Sequence, residues 1–249
     1  RYEIKIDTNA DFSYPVISSS NIVSTSYSAT KELPQGKYYW IVVATDGSHY
    51  SLWASSYTLY IDTIPPSAVT SFSATIGSYN GAINLSWSAP GDDGDTGDIQ
   101  SGKYFIRTAT YPIITEPDWI QTASTEKTIS KSVIKPGENQ TFTFDGLADG
   151  TTYYFSVKTQ DEAVNISAVS STSPYCMTNA KPIVSVKVPN GGETFLGNKI
   201  ISWEYSDPYP PGDTHKFAIY DSSDGTNFSV LVTSGLADKT TYYNWGCHR

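Results

Sequence analysis

The sequence predicts an all-β chain built from similar modules in tandem, and three observations support this prediction. The segment LADGTTYY at residues 147–154 returns as LADKTTYY at residues 236–243, and a looser copy, LPQGKYY, lies at residues 33–39. Apolar and polar residues alternate in runs of strand length, which is the period of a half-buried β-strand. The composition of 19 Tyr, 18 Gly and 14 Pro suits pleated surfaces separated by turns. Repetition of this kind indicates modules of roughly 60 to 120 residues.

The middle module is predicted over residues 63–178 and has the fullest set of strands. It follows the stretch DTIPPS at residues 62–67, whose two prolines stiffen the connection and interrupt strand pairing. Ile83, Leu85 and Trp87 alternate onto one face of its second strand. Its strands are predicted over residues 68–75, 82–87, 103–108, 140–144, 153–157 and 165–171, with an irregular excursion over residues 111–140.

The flanking modules, predicted over residues 1–62 and 179–249, each show part of this strand order. We expect the first module to lack its opening strands, and the third to be truncated at its C-terminal end, where strand F begins. The predicted strands are 2–6, 24–30, 38–44 and 57–61 in the first module, and 183–188, 199–203 and 216–220 in the third.

Charge and apolar content exclude several classes of protein. The chain has 25 acidic and 16 basic residues, and its formal net charge is −9 at pH 7. Such a chain repels phosphate backbones and anionic lipids, so neither nucleic-acid binding nor binding to a membrane surface is expected. The longest apolar run, at residues 38–44, has the length of a strand and falls short of the ~20 residues of a membrane span, so direct membrane insertion is not expected either. Cys176 and Cys247 are too few for a disulfide framework.

Three features together resemble bacterial fibronectin type III domains, a family of Ig-like β-sandwiches. They are the order Leu-x-x-Gly-Thr-x-Tyr at residues 147–153, a tryptophan closing the second strand, and the Pro-Pro joint. The stretch VPNGGET at residues 188–194 is also similar to the opening of Ig-like modules of exported microbial surface proteins, so both families stay open for the third module. The resemblance implies a buried tyrosine that opens strand F and bonds back to the preceding turn, and a core tryptophan in the second strand. These places are taken by Tyr38, Tyr153 and Tyr242, and by Trp87 and Trp203.

An acidic loop, GDDGDTGD at residues 91–98, is the strongest candidate metal site. Its carboxylates offer hard oxygen ligands on a glycine-rich loop, which is what Ca²⁺ prefers. The alternative is a solvated turn, because the spacing does not match an EF-hand and no glutamate follows at the bidentate position. A second acidic stretch, at residues 221–226, is typical of a hairpin turn. The candidate calcium ligands are Asp92, Asp93, Asp95 and Asp98.

Two tryptophans, Trp53 and Trp119, lie outside the alternating strand patterns. An exposed indole ring can stack on a sugar or anchor a protein partner, so both are candidate ligand contacts. The alternative is a loop tryptophan packed over the edge of a sandwich, since large aromatic rings tend to be buried.

No catalytic motif is evident. The three histidines are isolated in sequence, and neither a His-Glu-x-x-His zinc motif nor a Gly-x-Ser-x-Gly elbow is present. We therefore predict a protein that is not an enzyme and has no cofactor other than candidate calcium. Its modules would form a stalk or spacer in a secreted or cell-surface protein, with loops that bind a polysaccharide or a surface protein. Two alternatives are accessory spacer or carbohydrate-binding modules of a larger secreted glycoside hydrolase or protease, and a calcium-stiffened adhesin.

Overall fold

A computed structural model of the chain describes residues 1–194, 196–207, 214–222, 225–228, 230–237 and 240–245. Nearly all of the regular secondary structure in the described chain is β-strand, and the strands form antiparallel sheets in successive stretches of sequence. This confirms the predicted all-β class of tandem β-sandwich modules. We use the names module one, module two and module three for the predicted ranges 1–62, 63–178 and 179–249. None of the helices in the described part of the chain combines the length and the hydropathy of a membrane span.

Module one contains one antiparallel sheet. Its strands are β1 (Tyr2–Asp7), β2 (Ile17–Ile22), β3 (Gly36–Ala44) and β4 (Tyr57–Ile61), in the order β2-β1-β3-β4.

The predicted strand over residues 24–30 of module one is wrong, because β2 lies beside β1 and the residues after β2 are bends and irregular chain. Ser24 Oγ accepts a hydrogen bond from Ser26 N at 3.1 Å and lies 3.0 Å from Ser26 Oγ. Hydroxyl side chains in this Ser-rich run satisfy backbone groups locally, which competes with pairing in a sheet ladder.

Module two contains ten regular elements and a 3-10 turn over Ala123–Thr125. The elements are β5 (Phe72–Ile76), β6 (Ile83–Ser88), β7 (Ile99–Gln100), β8 (Lys103–Ala109), α1 (Glu116–Gln121), β9 (Lys127–Ser130), β10 (Val133–Ile134), β11 (Asn139–Phe144), β12 (Thr152–Gln160) and β13 (Tyr175–Met177).

These elements form a sandwich. One sheet has the order β5-β6-β11, the other has the order β9-β8-β12-β13, and β7 pairs separately with β10. The core lies between the two sheets because inward residues alternate along the strands: Ile83, Leu85 and Trp87 of β6 are at most 2% exposed. The Trp87 ring packs edge-on against Tyr104 of β8, with ring centroids 5.0 Å apart. The inward face predicted for the second strand is therefore the core face.

The last strand of module two lies later than the predicted range 165–171. The regular strand is β13, and the preceding residues contact β12 through single bonds such as Ser167 N to Thr159 O at 2.9 Å. Ser167 Oγ accepts from Thr159 N at 2.9 Å, and Ser170 Oγ accepts from Val157 N at 3.3 Å. Serine hydroxyls thus replace backbone carbonyls along this edge and interrupt the ladder.

The excursion over residues 111–140 is more regular than predicted, since it contains α1, β9 and β10. The helix begins at a capping box in which the hydroxyl of Thr115 accepts from Asp118 N, and the Asp118 carboxylate accepts from Thr115 N at 3.0 Å. Such reciprocal bonds satisfy amide groups that a helix start otherwise leaves unpaired.

One face of the module-one sheet is an open apolar groove, lined by residues that include Tyr2, Ile4, Trp40 and Val42. Ile4 pairs with Val42 in the same way that Ile106 pairs with Val157 in module two. The module-two residues at these positions are covered by β5, β6 and β11, whereas those of module one are only half-buried. The exposed face of module one therefore corresponds to the inside of the module-two sandwich.

Module three contains a three-stranded sheet and a hairpin. Its strands are β14 (Ile183–Val188), β15 (Lys199–Ser206), β16 (Phe217–Asp221), β17 (Val230–Leu236) and β18 (Tyr242–Trp245), and the orders are β14-β15-β18 and β16-β17.

The place predicted for Tyr242 at the start of strand F is wrong. Strand β18 pairs with β15, in the way that β11 pairs with β6 in module two. Tyr242 is 57% exposed and lies opposite Ser202, so it does not take the position of Tyr153 in module two. The repeated LADxTTYY segment specifies a turn and a strand, but it does not specify which edge that strand joins. Cys247 and part of the acidic stretch 221–226 lie outside the described residues.

Candidate functional site

The candidate site lies at the joint between module one and module two, and its base is the connection from β4 to β5. Ser67 N donates to Gly94 O at 3.0 Å, and Gly94 N donates to Pro65 O at 3.2 Å. Proline has no amide hydrogen, so Pro65 takes part through its carbonyl oxygen alone. These two bonds attach the Pro-Pro linker to the acidic loop of module two.

A side chain of module one also reaches the acidic loop. Gln35, in the turn before β3, donates from Nε2 to Asp93 Oδ1 at 2.5 Å. Its Oε1 accepts from Thr63 N in the linker at 3.4 Å. On the other side, Asn165 Nδ2 donates to Asp62 O at 3.4 Å. Gln35 therefore contacts both the linker and the loop, and it ties module one to module two.

The acidic loop is folded tightly on itself. Gly91 N donates to Gly94 O at 2.8 Å, Asp92 N to Gly97 O at 3.0 Å, and Asp93 N to Thr96 O at 2.9 Å. A side chain at Gly91 would overlap the backbone nitrogen of Thr96, so the loop requires glycine there. This close packing fixes the direction in which the neighbouring aspartates leave the backbone.

Three carboxylates from separate segments converge beside the loop. Asp62 belongs to the linker, Asp92 to the loop and Asp161 to the turn after β12, and one ligand atom from each lies within 4.8 Å of the others. Asp161 is 3% exposed and accepts bonds from Asn165 N at 2.8 Å and Asn165 Nδ2 at 3.0 Å. The arrangement could hold a metal ion, because carboxylate oxygens are the preferred ligands of hard divalent cations.

One carboxylate oxygen of Asp92 has no hydrogen-bond donor. Asp92 Oδ1 has less than 1 Å² of accessible surface and no hydrogen-bond partner in the described structure. The pKa of Asp92 is raised to about 6, chiefly by burial and then by the nearby carboxylates of Glu162, Asp62, Asp161 and Asp93. The electrostatic environment therefore disfavours a bare negative charge on Asp92.

The charged form of Asp62 is disfavoured for the same two reasons, burial and nearby carboxylates. Burial is the largest cause of a raised pKa of Asp62, and Asp161 and Asp93 contribute to the same shift. Among the described residues, no lysine, arginine or histidine forms an ion pair with Asp62, Asp92 or Asp161. The negative charge of the cluster is therefore not balanced by the side chains described.

The structure divides the four predicted calcium ligands into two pairs. Asp92 and Asp93 are half-buried at the joint, whereas Asp95 and Asp98 are exposed and take no part in the cluster. Sequence reasoning missed Asp62 and Asp161, which are distant in sequence from the loop. The available signal was that each of two chain segments bordering the joint carries an acidic residue. Asp62 precedes the Pro-Pro pair, and Asp161 directly follows β12.

The two candidate ligand-binding tryptophans lie in different environments. Trp119 is 6% exposed, and Arg107 Cζ and Lys158 Nζ lie 4.2 and 5.3 Å from its ring centroid. Arg107 is itself paired with Glu126 at 2.6 Å, so the ring of Trp119 is packed into a charged cluster and is not open to a ligand. Trp53 is 42% exposed, with Lys5 Nζ 5.1 Å from its ring centroid.

The remaining signature residues are structural. The Tyr38 hydroxyl donates to Pro34 O at 2.8 Å, and the Tyr153 hydroxyl accepts from Ala148 N at 3.2 Å, so each bonds back to the turn before its strand. Trp87 and Trp203 are 2% and 5% exposed. These side chains stabilise the modules and offer no surface for binding.

Comparison with known proteins agrees with this architecture for the middle of the chain. Residues 67–173 match the family model described as fibronectin type III domain. No curated protein matches the chain. Among solved structures, the chain is similar to the crystal structure of the FN1–FN3 domains of chicken CNTN1, with 13% sequence identity and a TM-score of 0.34. That match covers 84% of this chain, and the chain spans 66% of the length of the chicken structure.

Proposed function

Because residues 67–173 form a fibronectin type III domain, we propose that the chain is a spacer in the stalk of a secreted or cell-surface protein, and that it holds its neighbours at a defined angle. Fibronectin type III domains are in general non-catalytic modules with structural and interaction roles. The observation that supports a spacer is the hydrogen-bonded joint between modules one and two. Loops at the module ends remain available for a polysaccharide or a surface protein.

The joint differs from a flexible tether in two physical respects. A linker rich in glycine and serine behaves as a random coil, whereas consecutive prolines restrict the backbone to extended conformations. Here the carbonyl oxygen of Pro65 also accepts a hydrogen bond from Gly94 N, and the Gln35 side chain connects the turn before β3 to both the linker and Asp93. Each of these contacts removes orientations of module one relative to module two.

The spacer role is tested by the distribution of distances across the joint. Spin labels at the exposed residues Ser18 and Thr141, in a full chain whose two cysteines are replaced by alanine, report the separation of modules one and two. We expect a single narrow distribution that broadens in Gln35→Ala. Gln121→Ala, a substitution of the same type in α1, serves as the control and leaves the distribution narrow. A broad distribution in the unsubstituted chain would rule out a defined joint.

A second candidate function is binding of polysaccharide, as an accessory module of a larger secreted hydrolase. The observation that favours it is the exposed Trp53, since an accessible indole ring can stack on a sugar ring. Lys5 Nζ lies 5.1 Å from the ring centroid and is a donor from which a sugar hydroxyl could accept a hydrogen bond. Binding to a panel of insoluble glycans, lost in Trp53→Ala and retained in Leu52→Ala, would support this function. Retention of glycan binding in Trp53→Ala would exclude Trp53 as the contact.

A further inference from the structure

The acidic cluster at the joint has the features of a cation site that is assembled by the fold. Its three carboxylates come from the linker, the loop and the turn after β12, so they do not form a run of acidic residues in sequence. Each of these segments is held by backbone bonds: the loop by its internal bonds, the linker by Gly94, and Asp161 by Asn165. The cluster is therefore a product of the tertiary structure.

An independent observation points to a missing positive partner. Asp92 Oδ1 is shielded from solvent and accepts no hydrogen bond in the described structure. A buried carboxylate oxygen without a donor or a cation is strongly unfavourable. The neighbouring carboxylates of the cluster, Asp62 and Asp161, accept hydrogen bonds when ionised and so cannot supply the missing donor.

The remaining acidic groups near the cluster do not compete for the same role. Glu162 Oε2 accepts from Gln100 N at 2.8 Å, and Asp93 Oδ1 accepts from Gln35 Nε2. Both side chains add to the negative potential at the cluster, but their carboxylates already accept hydrogen bonds from Gln100 and Gln35. The potential at Asp92 therefore favours a cation over any neutral or anionic ligand.

Coordination chemistry selects among divalent cations at this cluster. The three ligand atoms lie within 4.8 Å of one another, so one ion can contact all three. Calcium accepts six to eight oxygen ligands at 2.3–2.6 Å in flexible geometry, which suits carboxylates held by separate chain segments. Magnesium binds at 2.0–2.1 Å and demands a near-regular octahedron, which three independently fixed side chains do not supply.

We propose that Asp62, Asp92 and Asp161 bind one calcium ion at the joint between modules one and two, with water completing the coordination shell. The ion joins the linker and the loop to the end of β12, next to the loop aspartate that Gln35 contacts. Binding of the ion would narrow the range of orientations between modules one and two. That effect rests on the proposed spacer function, whereas calcium binding does not.

Titration of the full chain with calcium alone, after removal of divalent ions with a chelating resin, tests the site by calorimetry. We expect one ion per chain with a dissociation constant of about 10⁻⁴–10⁻³ M, the range of extracellular calcium modules. Asp92→Asn should weaken binding at least about tenfold, because it replaces a charged ligand by a neutral amide. The matched control is the double variant Asp95→Asn and Asp98→Asn, which removes two exposed charges from the same loop and should bind within about twofold of the unsubstituted chain.

Three results would overturn the proposal. The first is the absence of binding at calcium concentrations about tenfold above 10⁻³ M. The second is equal weakening in Asp92→Asn and in the control, which would indicate diffuse attraction to an acidic surface. The third is equal affinity for magnesium, which would remove the assignment to calcium.

The spin-label distance separates this proposal from the spacer function. A distribution that is narrow with and without calcium supports the spacer, and in that case the titration alone decides the calcium site. Calcium binding without any narrowing of a broad distribution supports the site and refutes the spacer.

Discussion

Substitution of Asp92 by asparagine should stabilise module two when no divalent cation is present. The pKa of Asp92 is raised from 3.8 to about 6, chiefly by burial and then by the surrounding carboxylates. Each pKa unit corresponds to about 1.4 kcal/mol, so the shift sets a ceiling of about 3 kcal/mol on the penalty for the charged form. Because the side chain is partly exposed, solvent screening reduces the expected gain to about 1–2 kcal/mol.

Asparagine has the shape of aspartate, carries no charge and has two N–H donors that can bond to neighbouring carboxylates. A gain of 1 kcal/mol raises the melting temperature of a domain of the size of module two by about 4 °C. Calorimetric scans of the full chain at pH 7.5 in a chelator measure this shift. The control is Asp95→Asn, which removes an exposed charge from the same loop and should change the melting temperature by less than the Asp92 variant.

The same cause gives a definite pH dependence. Below about pH 4, Asp92 is protonated in both the folded and the unfolded chain, and its contribution to stability is fully present. As the pH rises through about 6, the unfolded chain has already released the proton that the folded chain still holds, so that contribution is lost. The Asp92→Asn variant should lack this loss between pH 4 and 7. Equal pH profiles for the variant and the unsubstituted chain in chelator would refute the electrostatic explanation of the cluster.

Three further substitutions test the fold. Trp87→Ala should destabilise module two by about 3–5 kcal/mol, because it empties the centre of the sandwich core, and urea unfolding followed by circular dichroism measures this loss. Tyr38→Phe should cost about 1 kcal/mol, because it removes one buried hydroxyl bond, and the thermal transition of module one reports it against Tyr60→Phe, an exposed control. Arg107→Met should cost about 2–3 kcal/mol and expose the ring of Trp119, which acrylamide quenching detects; unchanged quenching would contradict the described packing.

The cores of the modules could be predicted well because their signal is local. Alternation in β6 placed Ile83, Leu85 and Trp87 on one face, and that face is buried. The segment before Tyr153 predicted a turn followed by a strand, and the hydroxyl of that tyrosine bonds back to the turn. Both patterns are determined within a few residues, since side-chain direction repeats every two positions along a strand.

The candidate site could be predicted only in part for the opposite reason. Asp92 and Asp93 were found because they lie in a conspicuous acidic loop, whereas Asp62 and Asp161 come from segments far from it in sequence. The same sequence signal also included Asp95 and Asp98, which point into solvent. Burial and the absence of a donor at Asp92 Oδ1 depend on how the linker packs against the loop, and no local pattern encodes that packing.

By itself, the sequence determined the all-β class, most strand positions, and the tyrosine and tryptophan positions of the middle module. Tertiary structure decided which edges the strands join: the same LADxTTYY pattern leads into β12, which pairs with β8, and into β18, which pairs with β15. It also decided that three distant carboxylates meet at one joint. The physical reason is that alternation and turn chemistry act between neighbouring residues, whereas strand partners and charge clusters depend on the burial and hydrogen bonding of segments remote in sequence.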